Sequence, residues 1–142
     1  KRGDIVTFEA PRTTNVYISN TNPKAVYDER QNIIDVINKD FLEIEKLSLI
    51  KRVIGLPGDH IQIKEGSVYL NGEKLEENYL DKSVFTESFV LTDFTVPEGY
   101  YFMMGDNRER SSDSRTIGCI PKKKIEGRVV RKSMANRNIW KD

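Results

Sequence analysis

Lys51 lies within Leu49-Ile50-Lys51-Arg52-Val53-Ile54, a run whose other members are mostly apolar. Read as a strand, the run alternates, so Leu49, Lys51 and Val53 share one face while Ile50, Arg52 and Ile54 share the other. An ammonium is then flanked by apolar neighbours. Burial disfavours the charged form of an amine, and a lysine with a reference pKa of about 10.4 must fall by several units, at about 1.4 kcal/mol each, before it serves as a base near neutrality. Taken by itself, the run also fits an edge-strand lysine whose stem covers apolar surface while its head reaches water.

A second constellation, Gly105-Asp106-Asn107-Arg108-Glu109-Arg110-Ser111-Ser112-Asp113-Ser114-Arg115, follows an apolar strand ending at Met104. Its glycine and Asx residues supply turn geometry, and its hydroxyls are neutral groups that orient an amine without adding charge. Neutrality matters, because a carboxylate beside a lysine base would keep it protonated. If residues 113–115 are extended, Asp113 and Arg115 fall on one face and can pair. By itself the run also fits a solvated loop.

Other chemistries are poorly provided for. Cys119 and His60 are single residues of their type, so there is no intramolecular disulfide and no His/Cys zinc site, although an all-oxygen site stays open. No metal and no cofactor is expected. His60 directly follows Gly58-Asp59 and reads as a solvated loop histidine, not a triad member. A net charge of +1 weighs against nucleic acid as a partner. With 37% apolar and 32% charged residues over 142 positions, the chain reads as one soluble globular domain spanning residues 1–142. No run of 18 apolar residues is present to cross a membrane.

The elements that must hold these residues are mostly strands. Ile5 to Phe8, Leu49 to Ile54, Ile61 to Ile63, Phe89 to Leu91, Tyr100 to Met104 and Gly127 to Arg131 read as strands. Asn71-Gly72, between Ser67 to Leu70 and Glu73 to Leu75, predicts a tight hairpin, because both central residues of its turn need positive φ. Asn22-Pro23 offers an N-cap and a first-turn proline, and Val26, Tyr27, Arg30, Ile33, Ile34 and Ile37 recur at helical spacing, predicting an amphipathic helix over about residues 23–39. The expected fold is mainly β: an antiparallel sheet domain with a hairpin subdomain and an inserted helix.

Three stretches in order carry a resemblance: Arg2-Gly3-Asp4-Ile5-Val6-Thr7-Phe8, then Lys51-Arg52-Val53-Ile54-Gly55-Leu56-Pro57-Gly58-Asp59, then Gly105-Asp106-Asn107-Arg108 with Ser111, Asp113, Ser114 and Arg115. They resemble three boxes of the bacterial type I signal peptidases, and the hairpin at Asn71-Gly72 sits where that family has one. The resemblance implies a serine endopeptidase with Lys51 as general base and Ser111 as the hydroxyl that hydrogen-bonds it. Asp113 and Arg115 would be a supporting ion pair, and Asp106 with Arg108 would brace the same loop. Leu49 and Ile50 would lie along the strand to which a signal peptide adds, with exported preproteins as partners.

The family's nucleophile lies in a Ser-Met-x-Pro motif upstream of the Arg-Gly-Asp box, and no such motif occurs here; Ser133-Met134 lacks the proline and lies at the other end. The nucleophile segment and an N-terminal membrane anchor are therefore expected upstream of Lys1, with the domain on the extracytoplasmic face of the cell membrane. A long stretch at about residues 9–47 departs from many relatives and reads as an inserted helical elaboration. The resemblance also leaves room for a catalytically silent relative, a binding or assembly factor using the same groove.

Overall fold

The computed structural model describes residues 1–11, 17–27 and 47–130, and these are mainly antiparallel β, as the alternation predicts. The strands are β1 (Ile5–Glu9), β2 (Ser48–Gly55), β3 (His60–Lys64), β4 (Ser67–Leu70), β5 (Glu73–Lys74), β6 (Asp93–Thr95), β7 (Tyr100–Met104), β8 (Ile120–Pro121) and β9 (Ile125–Arg128). They form a five-stranded sheet in the order β8-β7-β2-β1-β9 and a four-stranded sheet in the order β5-β4-β3-β6.

The five-stranded sheet is covered on both faces. Phe102 and Met104 of β7 join Ile54, Ile61, Ile63, Val68 and Phe94 in a cluster shared with the smaller sheet. Met103, pointing the other way, joins Val6, Phe8, Val53 and Ile120. This double burial is why Tyr100 to Met104 reads as a continuous apolar run where β3 alternates cleanly, and each fully buried side chain of this size contributes about 1.5–3 kcal/mol. The Asn71-Gly72 turn forms as expected, with φ of 52° and 91°, and joins β4 to β5.

The last strand runs over Ile125–Arg128 where Gly127 to Arg131 is expected, Arg131 lying outside the described residues, and two further elements differ from the sequence expectation. Pro23 to Tyr27 is not helical: the Cys119 N–H donates to the Pro23 carbonyl at 2.7 Å and the Ala25 N–H to the Cys119 carbonyl at 2.9 Å, setting Lys24 beside Cys119 as a parallel bridge. Backbone partners supplied from the far end of the chain outcompete the local helical bonds that the capping signal favours. The rest of the expected helix, about residues 28–39, lies outside those described. Phe89 and Val90 form a bend, not a strand, with both side chains exposed; the strand lies farther along the chain, at β6, where Phe94 alone turns inward.

The segment between β1 and β2 starts and ends at one place. The Ala10 N–H donates to the Leu47 carbonyl at 2.8 Å, extending the β1–β2 ladder by one rung, so the chain leaves the ladder and rejoins it without disturbing the register at Lys51.

Candidate active site

Lys51 and Ser111, sixty residues apart, meet because of a strand register. In β2 and β7, Arg52 pairs with Met104 and Val53 with Met103, so Gly105 falls opposite Lys51, one step beyond the last pair. Glycine leaves the space above that position empty, and the returning loop fills it with a hydroxyl. Lys51 Nζ donates to Ser111 Oγ at 2.9 Å. A methyl group on Gly105 would stand 2.0 Å from Ser111 Oγ and 3.3 Å from Lys51 Nζ. Among the described residues no carboxylate lies within ion-pair distance of Lys51.

Leu49 and Val53, the neighbours of Lys51 along its face, both pack with the second cluster. Leu49 lies opposite Phe8 and Ile50 opposite Thr7 on the β1 side. The other edge of β2 is covered by β7 only from Arg52 onward. From Ser48 to Lys51 that edge has no strand partner among the described residues.

Asp113 anchors the loop. Its side chain is fully buried and accepts from the Arg115 N–H (3.0 Å), Arg115 Nε (2.9 Å), Arg115 Nη2 (2.8 Å) and the Gly105 N–H (3.0 Å). One carboxylate thus caps the short helix Ser114–Ile117, pairs with Arg115 and holds the glycine that faces Lys51. Arg115 also donates to the Glu87 carbonyl at 3.0 Å, and Ser114 Oγ accepts from the Met103 N–H at 3.0 Å.

Asp106 and Arg108 do not pair with each other. Asp106 takes a bidentate pair from Arg52, at 2.9 and 2.8 Å. Arg52 also donates to the Gly3 carbonyl and lies over the Tyr79 ring, 4.0 Å from its centroid. Arg108, its side chain fully buried, reaches Glu77 at 2.5 and 3.1 Å, Thr86 Oγ1 at 3.0 Å and the Gly105 carbonyl at 2.9 Å. The turn at Asp106 splays the two side chains, so each finds its partner on a separate segment.

Arg52, Glu77, Tyr79 and Thr86 were not marked by the sequence. Arg52 was placed on its face by alternation, but nothing flagged its partner fifty-four residues on. Glu77 and Tyr79 sit in Glu76-Glu77-Asn78-Tyr79, which has no periodicity to place it. Burial, then the hydrogen bond to Glu77, pushes the Tyr79 phenol up, so it stays a donor to Glu77 Oε2 at 2.6 Å. Burial also pushes the Cys119 thiol up, which makes it an inert core residue and no nucleophile.

His60 begins β3 opposite Thr95 instead of lying in a loop. Its Nε2 is 2.6 Å from Asp93 Oδ1 on the neighbouring strand, a partly exposed pair that takes no part in the Lys51–Ser111 contact. That hydrogen bond holds the Asp93 carboxyl below its ordinary range. Beside Ser111, a cleft of about 500 Å³ is floored by Arg108 and Arg115 and walled by Phe85, Phe89 and Val90.

Sequence and fold together place the chain among the peptidases, because the family model that matches it, over residues 1–134, is that of signal peptidase, peptidase S26. The chain belongs to that family. It is similar to signal peptidase I of Bacillus amyloliquefaciens, 40% identical over 116 residues that cover 76% of this chain and 60% of the relative. It is 46% identical over 86 residues to signal peptidase I of Bacillus licheniformis, covering 55% of this chain and 46% of the relative. The crystal structure of a signal peptidase I from Enterococcus faecalis V583 is similar in fold, with a TM-score of 0.58 and 28% identity, covering 92% of this chain and 96% of that one. The chain spans about half the length of the curated relatives it matches. No helix among the described residues is long and apolar enough to cross a membrane.

Proposed function

We propose that this chain is the extracytoplasmic catalytic part of a membrane-anchored signal peptidase I, a serine endopeptidase that removes N-terminal signal peptides from exported preproteins. The observation that carries this reading is the 2.9 Å contact of Lys51 with a neutral hydroxyl, at a point where no described carboxylate competes. The nucleophilic serine belongs to a Ser-Met-x-Pro segment outside these 142 residues, and the anchor lies outside them too.

In this reading the uncharged Lys51 amine takes the proton of the serine hydroxyl as the serine oxygen bonds to the scissile carbonyl carbon. The resulting ammonium returns a proton to the leaving amine as the C–N bond breaks; Lys51 then takes a proton from the water that attacks the acyl-enzyme and gives it to the serine oxygen as the ester C–O bond breaks. Ser111 orients the amine without charging it. Asp113 and Arg115 hold the loop that delivers Ser111, while Asp106 and Arg108 fix it from opposite sides. The preprotein adds as a strand to the uncovered edge of β2 beside Leu49 and Ile50, with small side chains at the first and third positions before the cut.

The test uses the full-length protein. It is expected to cleave a peptide carrying an Ala-x-Ala site, and Lys51→Ala is expected to abolish cleavage while thermal unfolding stays cooperative. Undiminished cleavage by Lys51→Ala would end the mechanism. Binding of the peptide without cleavage by the unaltered protein would instead mark a silent relative that holds exported chains.

A further inference from the structure

We propose that Glu77 is a positioning residue for the Lys51–Ser111 pair, acting through Arg108 on the Gly105 carbonyl. The inference rests on the Ser/Lys reading above and adds a residue far from every box of the resemblance.

Gly105 is the point where the site is set. Both polar groups of this residue are held by side chains: its N–H by Asp113 at 3.0 Å and its carbonyl by Arg108 Nε at 2.9 Å. A shift of Gly105 toward the amine spends the clearance in which Ser111 Oγ sits, since even one added carbon there would stand 2.0 Å from that oxygen. The Asp113 restraint is local in sequence. The Arg108 restraint is not, because the guanidinium is aimed by groups on another segment.

Glu77 supplies most of that aim. Its two oxygens accept from Arg108 Nη1 at 3.1 Å and Nη2 at 2.5 Å, with the Arg108 side chain fully buried and the Glu77 side chain 9% exposed. A desolvated, bidentate pair fixes orientation far more tightly than a single exposed contact. Glu77 is itself fixed by the Tyr79 hydroxyl at 2.6 Å. The Tyr79 ring then stacks under Arg52, whose guanidinium grips Asp106, the residue next to Gly105. The contacts close a ring, Glu77 to Arg108 to Gly105, then Asp106 to Arg52 to Tyr79 and back to Glu77. Residues 77–79, just past the hairpin of the smaller sheet, thereby brace both ends of the Gly105-Asp106 step on the larger one.

The experiment measures kcat, KM and the pH profile of kcat on an Ala-x-Ala peptide with the full-length protein. It compares Glu77→Gln and Tyr79→Phe, with Lys51→Ala as control. Glu77→Gln is expected to lower kcat by about tenfold to a hundredfold with KM nearly unchanged, the range a small misplacement of reacting groups produces. Tyr79→Phe, which keeps the ring and loses only the donor to Glu77, is expected to lower kcat by a few fold. In both, the acid limb of the profile moves to lower pH, because the Ser111 hydroxyl oxygen accepts from the Lys51 amine, which favours the protonated form, and a loosened Ser111 does so less.

A role in folding alone would lower the active fraction and leave that limb in place, which overturns the proposal. So would wild-type kcat and an unmoved limb in Tyr79→Phe, which decides the matter if Glu77→Gln fails to fold. If Lys51→Ala retains activity the Ser/Lys reading itself fails; if Lys51→Ala is inactive while both variants behave as wild type, only the positioning role does.

Discussion

A missing side chain matters as much at this site as the side chains present. Gly105 sits opposite Lys51 with φ in the ordinary range, so an alanine there would strain no backbone, but its methyl would stand 2.0 Å from Ser111 Oγ. Gly105→Ala is expected to lower kcat by about a hundredfold while thermal unfolding shifts little, checked by peptide cleavage and scanning calorimetry on the full-length protein. Lys51 and Ser111 were singled out in the sequence by residue type and by resemblance, and the fold brings them together. The Gly105 role was invisible, because a glycine in a turn-rich run offers no sign that it clears space instead of turning the chain. Asp106 and Arg108 were expected to brace the loop, but the partner of neither was legible, since a sequence shows neighbours along the chain and not the side to which each side chain leans.

At the scale of elements, alternation carried the strands and one carboxylate carries the loop. Asp113 is fully buried with four donors on it, two of them from a guanidinium that is itself buried. Removing it strands Arg115 in a dry setting, at a cost of about 3–5 kcal/mol. Asp113→Ala is therefore expected to lower Tm by roughly 10 °C or more and to abolish cleavage, both measurable on the same preparation. The hairpin at Asn71-Gly72 was legible because positive φ at two consecutive positions admits few residues. The stretch from Pro23 was misread for an equally physical reason: capping chemistry is local, whereas the bonds that hold Pro23 and Ala25 come from Cys119, ninety-odd positions along the chain. Phe89 and Val90 have strand-like composition, yet they wall a cleft instead of joining a ladder.

For the molecule as a whole, Asp59 knots three parts together. It accepts from Arg2 at 2.8 Å, from the Leu56 N–H at 2.8 Å and from Asn71 at 3.3 Å, tying the start of the chain to the β2–β3 turn and the hairpin tip. Burial alone would raise this carboxyl, but those donors outweigh it and hold it below its usual range. A carboxyl that ionises more readily folded than unfolded contributes stability above the unfolded value of about 3.9 and loses it as pH falls toward the folded value. Asp59→Asn is thus expected to flatten the decline of Tm between about pH 5 and about pH 3, as followed by circular dichroism. The β2–β7 ladder has a broader implication. A slip by one residue would set Met104 across from the lysine and turn every side chain of β7 to the opposite layer, so a mispaired chain could keep its strands and still be inert. Turnover per molecule would then gauge correct strand alignment in any refolded preparation.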